Sequence, residues 1–182
     1  MRKANAILSA AIIALFLLHS FIGAGEMIGF IEGGLMFGKV VAFILLAVIA
    51  IHVFIGLKLT CDTLIAMKRS GVGAFRENKL FWIRRISGFA IVIFLTAHII
   101  VFLGSYDEGI FVLTPFLVPE LITAVLFVAA LAVHILTDIK PLTIALGLKS
   151  GKALTVMLVI SVFLLFSAAA FTFYFVRWLA WS

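Results

Sequence analysis

The sequence holds four histidines, His19, His52, His98 and His134, and each sits in a different long apolar run; none lies in a connector. Imidazole changes charge near neutrality, shuttles protons and binds metals through either ring nitrogen. Within an apolar run it is costly unless paired or coordinated, so an intramembrane histidine is a functional hypothesis from the outset. A single one commonly bridges two helices as a polar contact. Four on four successive runs point to a shared task. The lone cysteine, Cys61, has no partner for an internal disulfide; it reads as a packing residue at a helix end.

The elements that must position these side chains follow from composition. The chain has 182 residues, 65% hydrophobic and 12% charged, with mean hydropathy +1.34. Soluble domains run about 45–50% apolar and about 25% charged. A chain this short keeps much of its surface in water, so the excess marks an integral membrane protein and leaves no room for a soluble catalytic domain. Runs long enough to cross a bilayer extend from Asn5 to Gly25, Val40 to Leu59, Ile86 to Leu103, Phe116 to Thr137 and Ala153 to Val176. Glycines 23, 25, 29, 33 and 34, the stretch Lys68 to Gly73, Tyr106 to Gly109 with Pro115, and then Pro141 punctuate the connectors. Backbone groups in lipid need partners within the segment, so each run must be a helix. The expectation is an all-α bundle of five transmembrane helices forming one domain over 1–182.

Lysine and arginine set the topology. With a cytoplasmic N-terminus and an outer C-terminus, the inner side carries Arg2, Lys3, Lys58, Lys68, Arg69, Arg76, Lys79, Arg84, Arg85, Lys140, Lys149 and Lys152, and the outer side only Lys39 and Arg177. That 12-to-2 division is a strong positive-inside signal. Five of the eight acids (Glu26, Glu32, Asp107, Glu108, Glu120) fall outside. The net charge of +6 is therefore topological, and nucleic acid is not a partner. Trp82, Trp178 and Trp181 suit interfacial anchors. Arg2-Lys3 followed by an apolar run and Gly23-Ala24-Gly25 imitates a signal peptide, but the run exceeds the usual apolar region of one, and cleavage would remove His19. The first helix stays.

Depth then sorts the histidines. His19 lies about 14 residues into its run and His98 about 12 to 14 into its own, roughly 18–21 Å from the inner face at 1.5 Å per residue. His52 stands roughly 10 Å, and His134 roughly 5 Å, from the inner end of the returning helices. Two pairs at two levels suit two haem irons, each taking an imidazole on either face. Gly23, Gly25, Gly56 and Ala97 would leave room for a flat macrocycle, although small residues are ordinary at membrane helix contacts. A hydrated ion would want a compact ligand set at one level. A proton relay would recruit Asp or Glu from the spans, and their central stretches contain none.

With this layout, the whole chain resembles the dihaem cytochrome b anchor of succinate:quinone oxidoreductases (succinate dehydrogenase and fumarate reductase), in the single-subunit five-helix class. The stretch Trp82-Ile83-Arg84-Arg85-Ile86-Ser87-Gly88-Phe89 entering the third span, with His98 ten residues beyond Gly88, is similar to the Arg-x-Ser-Gly entry of such anchors. The resemblance implies that His19 and His98 hold the distal haem b and His52 and His134 the proximal one, in agreement with depth. It implies a prokaryotic cytoplasmic membrane, an FAD flavoprotein and an iron–sulfur subunit on the inner face, and a quinone, menaquinone for this class, as substrate. The dicarboxylate chemistry would belong to the flavoprotein, leaving this chain ligation, insulation and a quinone pocket.

Residue roles follow with alternatives. The basic connector from Cys61 to Arg85 is a docking surface or plain positive-inside charge. Arg84, Arg85 and Ser87 are candidates for holding haem propionates, as paired N–H donors hold carboxylates. Glu26 and Glu32 stand in the outer connector where the family places a quinol-oxidising glutamate; they are quinone-site candidates or solvated acids. Some dihaem fumarate reductases carry a Glu two residues before the fourth ligand for transmembrane proton transfer; here that residue is Ala132. Two other readings compete: the cytochrome b subunit of a membrane hydrogenase, formate dehydrogenase or nitrate reductase, and a haem-free transporter or structural membrane protein.

Overall fold

The computed structural model describes residues 2–34, 36–71, 79–107, 110–112, 115–148 and 151–181. The stretch 72–78 with Arg76, and likewise Glu108, Gly109 and Lys149, lie outside the described residues, as do the side chains of Arg2, Tyr106, Asp107 and Trp181. Among the described residues the chain forms five helices: α1 (Arg2–Ile28), α2 (Met36–Ser70), α3 (Lys79–Leu103), α4 (Val118–Ala145) and α5 (Gly151–Trp181). All five are long and apolar enough to cross a membrane. The connector between α3 and α4 holds an unexpected hairpin, β1 (Ser105–Asp107) against β2 (Ile110–Val112), with Tyr106 opposite Phe111. Aromatic and β-branched residues suit that paired extended backbone.

The helices outrun the apolar stretches because local backbone chemistry, not lipid thickness, ends them. Gly29 takes φ +78 just past α1, and the Gly29 and Phe30 N–H groups donate back to the Glu26 and Gly25 carbonyls at 3.2 and 2.8 Å. Those two bonds make a Schellman cap, which needs a left-handed residue. A Cβ on Gly25 would stand 2.6 Å from Ile31 Cδ1, so Gly25 serves the folding back of Ile31 and not a macrocycle. Glu26 accordingly belongs to the last turn of α1, not to the connector. Gly147, at φ +72, closes α4 the same way, with Leu148 N–H on the Thr143 carbonyl at 2.9 Å. Pro141 is therefore inside α4 and does not terminate it.

α2 meets no glycine or proline between Gly56 and Gly71, and continues through Leu64, Ala66 and Met67, good helix formers. At 35 residues it is roughly 52 Å long, against a hydrocarbon core of about 30 Å. The supposed connector from Cys61 to Arg85 shrinks to the residues between Ser70 and Lys79. Cys61 is exposed well inside α2, so it is not a packing residue at a helix end.

Extended packing joins α3 to α4, α4 to α5, α5 to α1 and α1 to α2, with a shorter contact of α1 on α4. α2 meets only α1 over any length, and α3 only α4. Two helix pairs thus face each other across a gap, held by α5. The core runs along the α4–α5 seam, where Ile139 and Ile160 are fully buried beside Ile135 and Leu164. Elsewhere large apolar side chains face outward, Phe54 at 72% and Leu165 at 71% exposure, as lipid requires and water would not tolerate.

A hydroxyl pair, Ser20 and Ser167, links α1 to α5. Ser167 Oγ–H donates to the Phe163 carbonyl at 2.9 Å, so Ser20 is the donor in the 2.7 Å contact between the two hydroxyls. Interhelical bonds in membranes average about 0.6 kcal/mol and reach about 1.7. A double-mutant cycle with Ser20→Ala and Ser167→Ala, read by unfolding in detergent, should give a coupling in that range; zero coupling would mean that the bond contributes nothing.

Candidate functional site

All four histidines face the gap between the helix pairs. His19 on α1 and His98 on α3 lie across it with ring centroids 6.2 Å apart and planes at 84°. Phenylalanines surround His98: Phe102 at 4.8 Å, Phe127 at 5.3 Å and Phe171 at 6.3 Å between centroids. Its Nδ1 is buried with no hydrogen-bond partner among the described residues.

His52 on α2 and His134 on α4 border one cavity. α1 contributes Ser9 to it, α2 Gly56 and Thr60, and α3 Arg84, Arg85 and Gly88. From Ser9 to His19 on α1, and from Gly88 to His98 on α3, the chain advances ten residues, so the two histidine pairs sit at levels about 15 Å apart. A Cβ on Gly88 would come within 3.3 Å of His134 Cε1; glycine there lets the imidazole lie against the α3 backbone. His52 Nδ1, like that of His98, is buried without a hydrogen-bond partner among the described residues.

The α3–α4 seam at this level is built on two backbone carbonyls, one of them freed by proline. Pro141 has no N–H for the carbonyl four residues back and crowds it, which leaves the Thr137 oxygen to Arg84 Nε–H at 3.3 Å. The same Nε lies 3.5 Å from Asp138 Oδ1. In return, the Arg84 carbonyl approaches His134 Nδ1 at 3.0 Å. A carbonyl only accepts, so Nδ1 carries the proton and Nε2 the lone pair.

The two adjacent arginines have different surroundings. Arg84 is committed to Thr137 and Asp138. Arg85 lies over the Phe81 ring, 5.1 Å from guanidinium carbon to centroid, and its buried Nε has no hydrogen-bond partner among the described residues. Ser87 is buried, and its hydroxyl donates to the Ile83 carbonyl at 2.7 Å. Glu26 is half-buried, its Oε1 3.8 Å from where a Gly38 Cβ would stand. Glu32 is exposed beyond α1.

Asp138 escaped the sequence reading because it falls one residue past the apolar run. In the structure α4 continues, so a carboxylate does border the cavity, one turn from His134 and paired with Arg84. The signal was its spacing of four from His134. Ser9 and Thr60 were likewise passed over as isolated hydroxyls in apolar runs.

The facing His19 and His98 rings would fit a flat metal-centred group such as haem between them. Among the described residues, no three His, Cys, Asp or Glu side chains converge to hold an ion. A metal held by a nitrogen of each ring at about 2.0–2.1 Å would need centroids about 6 Å apart, and the His19–His98 centroids are 6.2 Å apart. Orphaned buried nitrogens cost about 1–3 kcal/mol each, which a bound group in the gap would offset by reorienting or engaging the rings.

The arrangement defines a five-helix protein of membrane-spanning length and apolarity, with two histidine pairs between its helix pairs. No family model, curated protein or solved structure matches the chain.

Proposed function

We propose that this chain is the dihaem cytochrome b anchor of a succinate:quinone oxidoreductase, passing electrons between quinone and an iron–sulfur partner. The observation that carries the reading is the sorting of four histidines into two pairs at two levels of one gap. His19 and His98 would hold one haem b and His52 and His134 the other, and the haems supply one-electron carriage between the two levels.

The chain's own residues bind, orient and insulate. His134 presents Nε2 because the Arg84 carbonyl takes its Nδ1–H. Phe102, Phe127 and Phe171 exclude water around His98. Arg85, with its unspent buried donor, is the propionate holder in the cavity, whereas Arg84 braces α3 on α4. Of the two quinone-site acids, half-buried Glu26 is better placed than exposed Glu32 to take a quinol proton. The 12-to-2 basic asymmetry supports a cytoplasmic N-terminus in a prokaryotic inner membrane. The protruding basic end of α2, with Lys58, Lys68 and Arg69 exposed, then faces the iron–sulfur and FAD subunits.

A dithionite-reduced minus oxidised optical spectrum of the purified complex, with haem quantified per chain, tests the reading. Two low-spin b haems per chain are expected. A colourless protein would return the histidines to a structural role. Co-purifying subunits decide the partner: a molybdopterin or nickel–iron protein would move the assignment to a formate dehydrogenase, nitrate reductase or hydrogenase.

A further inference from the structure

Of the four histidines, His134 is distinguished by what holds its outer ring nitrogen. Its Nδ1 lies 3.0 Å from the Arg84 carbonyl oxygen and 3.2 Å from Ser87 Oγ. The single Ser87 proton is spent on the Ile83 carbonyl at 2.7 Å, with a longer approach to Arg84 at 3.2 Å. Ser87 Oγ can therefore only accept from His134, and the Nδ1–H is shared between two oxygens. The Nδ1 atoms of His52 and His98 meet no acceptor among the described residues.

Serine bonded back to the preceding turn often bends a helix. Gly88 leaves the space in which the His134 ring meets the Arg84 oxygen and Ser87 Oγ. We infer that Ser87 is a positioning residue for His134: together with the Arg84 carbonyl it fixes the tautomer and strengthens the ring as an electron donor through Nε2. This inference rests on the dihaem reading and assigns Ser87 a different task from a propionate contact. An acceptor on the outer nitrogen of a ligating histidine raises its basicity and tunes the metal. A more basic ligand favours the ferric state, so Ser87 lowers the midpoint potential of the haem bound by His52 and His134.

The test is an optical redox titration of the intact complex with low-temperature EPR, comparing wild type with Ser87→Ala, Ser87→Thr and Gly88→Ala. Ser87→Ala should raise the midpoint of one haem and move its g values, with the other haem unmoved. Ser87→Thr keeps the hydroxyl, and threonines at positions 60, 63 and 137 already make the same back-bond in this chain; its midpoint should lie close to wild type. Gly88→Ala, which places a methyl 3.3 Å from the ring, should perturb that same haem. Unchanged midpoint and g values in Ser87→Ala, equal shifts of both haems, or a threonine variant displaced as far as alanine would each overturn the inference. If wild-type protein holds no haem, the dihaem reading itself falls; two haems with an unmoved Ser87→Ala protein sinks the positioning role alone.

Discussion

On the dihaem proposal, replacing His98 by alanine will take the protein from two haems per chain to one, and the haem that remains will keep its spectrum and potential. His98 faces His19 at 6.2 Å across the gap, while His52 and His134 stand at the other level, about 15 Å away along the helices. Sites that far apart with no shared partner behave independently to within about 0.5 kcal/mol. His19→Ala should give the same one-haem species, and His52→Ala or His134→Ala the complementary one. Four single variants, each quantified by pyridine haemochrome and EPR, check the pairing. If each variant that still folds loses both haems, the two-pair arrangement is wrong.

Haem starvation should loosen α2 before the α4–α5 core. The extended packing of α2 is on α1 and that of α3 on α4, with His98 and Phe102 also meeting Phe171 of α5, so a group held by His52 and His134 would tie the two helix pairs together. A ligand that binds only the folded state stabilises it by about 2.7 kcal/mol at about 100 times its dissociation constant. Two such groups are worth a large part of a typical domain stability of about 5–15 kcal/mol. Hydrogen exchange on protein made under haem limitation should therefore show lost protection in α2 and in the His98 end of α3. The seam around Ile139 and Ile160, closed by α4 and α5 themselves, should stay protected. Equal protection with and without haem would mean that nothing bound in the gap contributes to stability.

Much of this was legible beforehand, for identifiable reasons. Five apolar runs predict five helices because lipid offers the backbone no partner, and counting histidines per run needs no coordinates. Helix ends were less legible. An apolar count measures lipid thickness, whereas α1 and α4 stop at Gly29 and Gly147, where the backbone turns left-handed. For the same reason Pro141, a terminator by its letter, sits inside α4 and frees the Thr137 oxygen for Arg84.

The division of labour between Arg84 and Arg85 was invisible in one dimension. Neighbours on a helix point about 100° apart, so although both border the cavity, one finds Thr137 and Asp138 and the other the face of Phe81. Ser87 is a case of the same kind: its type suggests a donor to a ligand, and only the structure shows its proton directed to its own helix.

The place of α5 also orders the protein's construction. It is the main element joining the two helix pairs, yet it carries no histidine and follows all four histidine-bearing helices in the chain. Chains acquire structure from the N-terminus during synthesis. On the dihaem proposal, all four ligands would thus be made before the helix that does most to join the two pairs. Haem would then be able to enter sideways between the two pairs before α5 closes them. A protein assembled this way needs no late breathing of the finished bundle to admit groups as broad as haem.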